Sequence, residues 1–245
     1  MMMMTLPQIQ AKAGRKATRN RGRHSNGPMM MTLPQILAGR RAAVSGRTGS
    51  GKTTLAAWLL NRSAQHWLIL NPKWTAGYKT LPDSEVLESF DENKVNKSIK
   101  ANRYTILNFP GNQANPEYMD AVIEYVHSRY ENIGLCADEL YTLHTGGKAG
   151  EGLTGWLTRG RELKQSFLGL TQRPAWLSRF IFSEADYVVG MSLKLADDRK
   201  RLYEATGAPE FLEQLPARRW LWYDVAEDTI ELFGPVPVIA EQVKG

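Results

Sequence analysis

The chain has 245 residues, of which 42% are hydrophobic, and its formal net charge is +6. This length supplies one substantial hydrophobic core, and no segment approaches the ~20 consecutive apolar residues of a membrane-spanning helix. The single cysteine, Cys136, excludes an intramolecular disulfide and favours a reducing compartment. We therefore expect one soluble, cytoplasmic domain rather than a secreted or membrane protein.

The excess positive charge lies in the first 28 residues. This segment holds six basic residues and no acidic one, so the rest of the chain carries 25 of each sign: the six are Lys12, Arg15, Lys16, Arg19, Arg21 and Arg23. A segment so poor in apolar residues cannot offset its ordering entropy and is predicted to be disordered in isolation. We expect residues 1–28 to form a basic extension that could contact a phosphate backbone, and residues 29–245 to form the folded domain.

An eight-residue repeat bears on the role of this extension. Residues 2–9 read MMMTLPQI, and the same letters recur at residues 29–36. Two copies are too few for a solenoid. A duplicated translation start, with the domain beginning near residues 29–31, explains the repeat as well as a functional extension does, and both interpretations stay open.

Residues 46–53 read GRTGSGKT, which fits the spacing of a nucleoside-triphosphate phosphate loop at every required position. The glycines let backbone N–H groups point at phosphates, the Lys52 ammonium can reach the β and γ oxygens, and the Thr53 hydroxyl can ligate Mg²⁺. An apolar strand over 41–45 and a helix over 54–64 provide the context that the motif needs. We therefore predict ATP and Mg²⁺ as ligands, bound by Gly46, Arg47, Thr48, Gly49, Ser50, Gly51, Lys52, Thr53 and Thr54.

Strands and helices alternate along the rest of the chain. The hydrophobic patterns predict strands over residues 66–71, 103–109, 133–137, 166–172 and 187–191. They predict helices over residues 84–90, 116–130, 152–164, 175–183 and 196–205. Such alternation indicates an α/β fold with a mostly parallel sheet that helices cover on both faces.

The last patterned segments, 218–225 and 229–233, are predicted to form an antiparallel β-hairpin. In a strand Trp220 and Trp222 share one face, so we expect them to pack against the body of the protein rather than to stack on nucleic-acid bases.

Two carboxylates follow the strand at 133–137. Asp138 stands at the carboxyl end of that strand, where it can hold Mg²⁺ directly or through water, and Glu139 can orient and deprotonate an attacking water. Adjacent side chains of a regular strand point to opposite sides, so Glu139 must lie where the strand is already breaking up. The alternative is an ordinary acidic turn.

A further polar signal begins where the strand at 166–172 ends. Ligands of open parallel sheets bind at the carboxyl ends of the strands, so Gln172 is expected to project toward the γ-phosphate from a strand that neighbours the phosphate loop. An amide can donate to a phosphate and accept from water, which suits a residue that senses hydrolysis. A bland turn after the strand is the alternative.

The combination of GRTGSGKTT at 46–54, GLCADE at 134–139, RGREL at 159–163 and LGLTQRP at 168–174 resembles the HerA/FtsK superfamily of DNA-pumping ATPases. The resemblance covers about residues 41–191 and implies a RecA-like P-loop core. In that family an arginine in the helix before the glutamine strand reaches into the neighbouring subunit's active site. Arg161 matches its position, and Arg159 is the nearby alternative.

The chain also departs from the family pattern at several points, and these departures restrict which branch of the superfamily it resembles. The sequence Asn-Pro-Lys at 71–73 has Asn where the family has Asp, so no role is assigned to Asn71. The membrane spans of septal translocases and the N-terminal barrel of archaeal repair helicases do not fit this chain. Its short form resembles the genome-packaging ATPases of tailless, double-jelly-roll viruses.

A glycine-rich loop at 142–152 follows the acidic motif. If the chain threads DNA through a ring, Lys148 could contact backbone phosphates from this loop, and a surface loop without contacts is the alternative. His144 is a lone histidine, and no histidine or cysteine cluster has the spacing of a metal site.

The resemblance implies a ring-forming ATPase that moves double-stranded DNA, above all by packaging a viral genome into a procapsid. The ring would hold five or six copies, capsid vertex or portal proteins would be further partners, and the site of action would be the host cytoplasm or the virion. In this interpretation Lys52, Glu139, Gln172 and Arg161 serve catalysis, and Thr53 and Asp138 hold the metal.

Three alternatives remain at this point. A cellular or plasmid DNA translocase of the same superfamily would share every motif. A monomeric small-molecule P-loop kinase would instead use a cluster of lid arginines, and the Asp-Glu pair and the Thr-Gln-Arg-Pro sequence argue against it. A nucleotide-dependent binding module would recruit partners without moving DNA.

Overall fold

A nine-stranded sheet runs through the part of the chain that the computed structural model describes, namely residues 33–111, 113–145 and 148–236. The basic extension predicted at 1–28 and the domain start predicted at 29 lie outside the described residues. Within the described ranges, no helix is long and apolar enough to cross a membrane.

The nine strands of the main sheet in the described residues have the following bounds. They are β1 (Arg41–Ser45), β2 (His66–Asn71), β3 (Ser84–Leu87), β4 (Tyr104–Asn108), β5 (Ile133–Ala137), β8 (Ser166–Thr171), β9 (Tyr187–Gly190), β10 (Trp220–Asp224) and β11 (Thr229–Phe233). A separate short antiparallel pair consists of β6 (His144–Thr145) and β7 (Lys148–Ala149).

Within the described residues, six α-helices accompany the strands. They are α1 (Lys52–Asn61), α2 (Glu92–Ala101), α3 (Pro116–His127), α4 (Glu151–Arg159), α5 (Arg179–Ser183) and α6 (Ala196–Thr206). Short 3₁₀ turns occur at Ala76–Thr80, Leu140–Leu143, Pro174–Trp176 and Pro209–Leu212.

The strand order is β11-β10-β9-β1-β8-β5-β2-β4-β3. Every pair from β9 to β3 is parallel, whereas β10 is antiparallel to both β9 and β11. The predicted α/β fold, with a mostly parallel sheet and a C-terminal hairpin, is therefore confirmed. Because β8 lies between β1 and β5, the segments that follow these three strands meet at one edge of the sheet.

Each face of the sheet buries its own apolar cluster, because successive side chains of a strand point to opposite faces. Trp67 and Ile69 of β2 pack on the face that α1 covers, whereas Leu68 and Leu70 pack with residues of α3 and α4. Both clusters are closed to solvent, so the sheet is a rigid support for the segments at its edges.

The two tryptophans of β10 are buried, as the sequence predicts. Trp220 is 2% exposed and stacks on Phe233 with 4.4 Å between ring centroids, and Trp222 is 7% exposed beside Tyr187. Trp220 also meets Trp58 of α1 edge to face. These rings seal the end of the sheet and are not available to stack on nucleic-acid bases.

The prediction of a helix at 84–90 is wrong. Residues Ser84–Leu87 form the edge strand β3, paired in parallel with β4, and the helix begins only at Glu92. Asp91 caps that helix, since its side chain accepts a hydrogen bond from the backbone N–H of Lys94.

The helix predicted at 152–164 is too long, because α4 ends at Arg159. At Gly160 a Cβ atom would lie 2.3 Å from the carbonyl oxygen of Trp156, and Lys164 adopts a left-handed φ of 54° as the chain turns into β8. Arg161 therefore lies in the turn after the helix, whereas Arg159 is the last helical residue.

Two other segments are more broken than the sequence predicts. The single helix expected at 175–183 consists of a 3₁₀ turn and the five-residue α5, which Ser178 caps. The loop at 142–152 contains the short β6–β7 pairing, in which His144 lies opposite Ala149.

Candidate nucleotide site

The loop between β1 and α1 has the backbone conformation of a phosphate loop. Gly51 has a φ of 99° and precedes α1 directly, a conformation that side-chain-bearing residues rarely adopt. A Cβ atom on Gly46 would lie 2.6 Å from the Ser50 hydroxyl oxygen, so only glycine fits at the first position. The amino end of α1 thus stands open behind the loop, where free N–H groups attract anions.

Neighbouring strands anchor this loop at its base. The backbone N–H of Gly46 donates to the carbonyl of Thr171 at 3.0 Å, and that of Arg47 donates to the carbonyl of Ser192 at 2.9 Å. Arg47, Thr48 and Gly49 are exposed at the tip, whereas Ser50 is buried. The loop therefore presents its tip to solvent from a fixed base.

Lys52 is buried in the first turn of α1, and its ammonium donates to the carbonyl of Arg47 at 3.2 Å. Burial lowers the pKa of Lys52, while the carboxylates of Glu139 and Asp138 oppose that shift. Thr53 follows it half-buried, and Thr54 is exposed on the helix. The loop thus holds a partly desolvated cation beside two carboxylates, which suits the binding of a polyanion.

The two carboxylates lie at the end of β5 and are both buried. Asp138 Oδ1 accepts from the backbone N–H of Glu139 at 3.0 Å. Glu139 has a left-handed backbone with φ 56° and ψ 54°, so the strand breaks up at this residue, as the alternation of side chains requires. This turn brings both carboxylates to the same edge of the sheet.

Gln172 bridges the phosphate loop and the acidic pair. Its Nε2 donates to both carboxylate oxygens of Glu139, at 2.9 and 3.1 Å, and its Oε1 accepts from the Thr48 hydroxyl at 2.6 Å. The bridge exists because β8 stands between β1 and β5 in the sheet. One side chain therefore contacts the elements on both sides of it.

The turn after β2 also enters the site, which sequence reasoning missed. Lys73 Nζ donates to Glu139 Oε1 at 2.7 Å, and the Thr75 hydroxyl lies 3.4 Å from Asp138 Oδ2. Asn71 holds the turn, since its Oδ1 accepts from the Thr75 N–H at 2.8 Å. The only signal in the sequence is the Asn-Pro-Lys stretch, which gives no hint of its partner 66 residues away.

Asp138 and Thr53 fit the role of Mg²⁺ ligands by their chemistry. Burial raises the pKa of Asp138, the Glu139 carboxylate raises it further, and Lys52 opposes the shift. Two neighbouring carboxylates at a buried edge favour a cation, and oxygen ligands are those that Mg²⁺ prefers. Among the described residues, no group of three or more His, Cys, Asp or Glu side chains forms a metal site of protein ligands alone.

Arg161 lies away from these residues, at the amino edge of the sheet. Its Nη2 pairs with Asp186 Oδ1 at 2.9 Å, and Arg40 Nη1 pairs with the same oxygen at 2.8 Å. Asp186 Oδ2 accepts from the backbone N–H of Arg41, where β1 begins. The five residues of β1, about 16 Å at the usual rise per residue, separate this edge from the phosphate loop.

The residues beside Arg161 leave room for another molecule. A cavity of about 530 Å³ opens between the start of β1 and the turn that carries Arg161, and the Arg161 side chain is 56% exposed there. Arg159 is also exposed. Both arginines of the RGREL sequence are thus accessible, and neither lies beside the phosphate loop of its own chain.

Lys148 is exposed in β7, and His144 donates from Nδ1 to the carbonyl of Leu140 at 3.1 Å. Burial lowers the pKa of His144. This histidine therefore has a structural partner in the 3₁₀ turn that follows the acidic pair.

The parallel sheet and the glycine loop between β1 and α1 define a P-loop NTPase fold, as predicted. No family model matches the chain. The chain is 28% identical over 226 residues to the DNA packaging ATPase P9 of Enterobacteria phage PRD1, covering 84% of this chain and 92% of that protein. This similarity confirms the resemblance to viral packaging ATPases that the motifs indicate.

Solved structures agree on the fold. The genome packaging NTPase B204 of Sulfolobus turreted icosahedral virus 2, in complex with ATP-gammaS, has a TM-score of 0.67 and 17% identity, over 82% of this chain and 99% of that one. VirB4 of Thermoanaerobacter pseudethanolicus has a TM-score of 0.61 and 9% identity, over 81% of this chain and 90% of that one. At such identities the likeness concerns the fold alone.

Proposed function

We propose that this chain is an ATPase motor that translocates double-stranded DNA and packages a viral genome. The observation that carries the proposal is the placement of the phosphate loop, Glu139 and Gln172 on three adjacent strands, where Gln172 contacts both of the others. The similarity to the packaging ATPase P9 along most of both chains supports the choice of substrate.

The chemistry follows from the positions of the side chains. The loop amides and Lys52 would hold the β- and γ-phosphates of ATP, and Glu139 would accept the proton of the attacking water. Thr53 and Asp138 would hold Mg²⁺, which neutralises phosphate charge when it is bound. Gln172 would report the state of the γ-phosphate, because a change at the phosphate loop reaches Glu139 through one side chain.

The arginine is the reason to propose an oligomer. Arg161 lies at the edge opposite its own phosphate loop, so it can stabilise transferred charge only in another copy of the chain. Such a contact joins unlike edges of neighbouring subunits, and we infer a homo-oligomeric ring of five or six copies. Arg159, at the end of α4, is the alternative donor.

DNA would pass through the ring, and the β6–β7 segment with the exposed Lys148 is the proposed contact with its phosphates. Capsid vertex or portal proteins would be the partners at the particle, with the motor acting in the host cytoplasm or on the virion. These assignments rest on the packaging function itself.

The test is ATP hydrolysis measured with and without linear duplex DNA. We expect duplex DNA to stimulate turnover, Lys52→Ala to weaken ATP binding, and Glu139→Gln to retain binding while losing about 10²–10⁴-fold in turnover. Turnover that ignores DNA but depends on a metabolite acceptor would identify a kinase and overturn the proposal. Wild-type hydrolysis by Glu139→Gln would overturn the choice of base.

A further inference from the structure

Lys73 contacts Glu139 in a way that the fold itself does not require. Its side chain is 47% exposed, so it fills no part of the core, whereas that of Glu139 is only 9% exposed. Exposed ion pairs contribute little to stability because water and salt screen them. The contact at 2.7 Å therefore matters more for the carboxylate that it holds than for the folding of the chain.

The turn that carries Lys73 is fixed at several points. Asn71 accepts from the Thr75 N–H at 2.8 Å and donates through Nδ2 to Asn108 Oδ1 at 2.8 Å. Trp74 has a left-handed φ of 55°, and its Nε1 donates to the carbonyl of Phe109 at 2.8 Å. A bulky residue rarely adopts this conformation, so the surrounding bonds must maintain it.

Lys73 also meets the segment just after the acidic pair. Its ammonium lies 5.9 Å from the centroid of the Tyr141 ring, within the range of a cation–π contact. Although partial burial opposes the charge, the hydrogen bond and the charge of Glu139 raise the pKa of Lys73. A permanent cation thus holds both Glu139 and the turn that follows it.

The two donors to Glu139 do not share its oxygens equally. Oε1 accepts from both Lys73 Nζ and Gln172 Nε2, whereas Oε2 accepts only the longer bond from Gln172 at 3.1 Å among the described contacts. A carboxylate offers about four lone-pair sites, so Oε2 keeps the greater capacity for a further donor.

We propose that Lys73 is a positioning residue for Glu139, fixing the carboxylate so that Oε2 is the atom that accepts the proton of the attacking water. The inference rests on the proposed function, in which Glu139 is the general base. Without Lys73, the contacts from Gln172 to both oxygens would leave the two oxygens nearly equivalent. Lys73 breaks that equivalence by occupying Oε1.

The test is steady-state hydrolysis by Lys73→Met, Lys73→Arg and the double variant Lys73→Met/Glu139→Gln, together with titration of each protein with ATPγS. Misplacement of a catalytic group costs up to about 10²-fold, so we expect Lys73→Met to lose ~10- to 100-fold in kcat. We expect an unchanged KM, unchanged ATPγS affinity and recovery of most of the rate in Lys73→Arg. In the Glu139→Gln background, Lys73→Met should cause no further loss, because the two residues act as a unit.

Lys79→Met is the matched control, since Lys79 is an exposed lysine of the adjacent 3₁₀ turn, and it should hydrolyse ATP at the wild-type rate. Thermal melting checks the fold of each variant, and Lys73→Gln replaces Lys73→Met if the latter melts early.

Three results would overturn the role of Lys73. They are a wild-type kcat in Lys73→Met, weakened ATPγS binding at unchanged kcat, and a loss that persists in full beside Glu139→Gln. If Glu139→Gln is inactive while Lys73→Met is active, only this inference fails. If Glu139→Gln hydrolyses ATP normally, the proposed base is wrong and this inference fails with it.

Discussion

Gln172 donates from one amide nitrogen to both carboxylate oxygens of Glu139, and the same amide accepts from the Thr48 hydroxyl of the phosphate loop. Donor and acceptor ends of the side chain are thus committed to different elements of the site. An amide suits this arrangement because its donor and its acceptor are on separate atoms.

The first prediction follows from that division. Gln172→Glu keeps the size of the side chain but replaces the donor with a second carboxylate beside Glu139, and like charges at this distance repel. We expect retained ATPγS binding and a fall of about 10²-fold in turnover, measured at saturating ATP. Gln172→Ala is the companion variant. Full activity in both would remove Gln172 from the mechanism.

The second prediction concerns the stability of the site. Burial, and then the Glu139 charge, raise the pKa of Asp138 above its ordinary value of 3.8, so the ionised form is less favourable in the folded protein than in the unfolded chain. Ionised Asp138 therefore destabilises the fold at neutral pH, and the cost vanishes as the pH falls below the unfolded-state value. We expect Asp138→Asn to melt higher than wild type at pH 7, each kcal/mol being worth about 2–4 °C, while losing turnover.

The gain should shrink toward pH 4 when melting is followed in EDTA. Asp197→Asn is a suitable control, since Asp197 is exposed in the first turn of α6 and should not raise the melting temperature. A variant Asp138→Asn that melts below the wild-type protein at pH 7 would contradict the argument.

The third prediction tests Arg161 across a subunit boundary. Arg161→Ala should bind ATP but hydrolyse it slowly, and mixing it with Lys52→Ala should restore part of the activity. At an interface where the first variant supplies the phosphate loop and the second the arginine, one complete site is reassembled. The measurement is the ATPase rate with DNA present, after light scattering has established that mixed oligomers form.

Arg159→Ala is the matched control for the neighbouring arginine. A mixture no faster than the mean of its parents would exclude Arg161 as the residue acting in trans. Complementation by Arg159→Ala instead would assign the role to the last residue of α4.

The fourth prediction concerns the basic extension and rests on its composition alone. Deleting residues 1–28 removes six cations, and each phosphate that they neutralise contributes about 0.9 to the slope of log affinity against log salt. We expect weaker DNA binding, a flatter salt dependence and an unchanged melting temperature. Equal affinity and slope in both proteins would favour the duplicated-start interpretation.

The sequence predicts the fold where periodicity is strong. The strands at Arg41–Ser45, His66–Asn71 and Ile133–Ala137 have the predicted bounds, because a continuous apolar run bounded by polar residues identifies a buried parallel strand. The error at 84–101 arises from the edge strand β3, which alternates too little to be distinguished from a helix. The Asp91 cap and the spacing of Val95 and Ile99 were the unused signals for α2.

The candidate site likewise contains residues that the sequence predicts and contacts that it does not. A motif on one continuous segment, such as the phosphate loop, fixes its own local structure, and the positions of Glu139 and Gln172 follow from parallel strands that end at a common edge. The contact between Lys73 and Glu139 depends on the path of a turn that Asn71 holds, and no local pattern encodes it. The stop of α4 at Gly160 likewise accompanies a tertiary path, in which the chain turns back and the N–H of Gln165 donates to the Gly160 carbonyl at 2.8 Å.

The separation of Arg161 from the phosphate loop by the length of β1 determines how many complete ATPase sites an assembly contains. If Arg161 acts in trans, each subunit carries the phosphate loop of one site at one end and the arginine of another site at the other end. Each contact between neighbouring subunits completes one site, and the two end subunits of an open stack each keep one unpaired half-site. An open stack therefore always has one complete site fewer than it has subunits, and only closure removes the deficit. The specific activity per subunit should rise with stack length and reach its full value when the last junction forms.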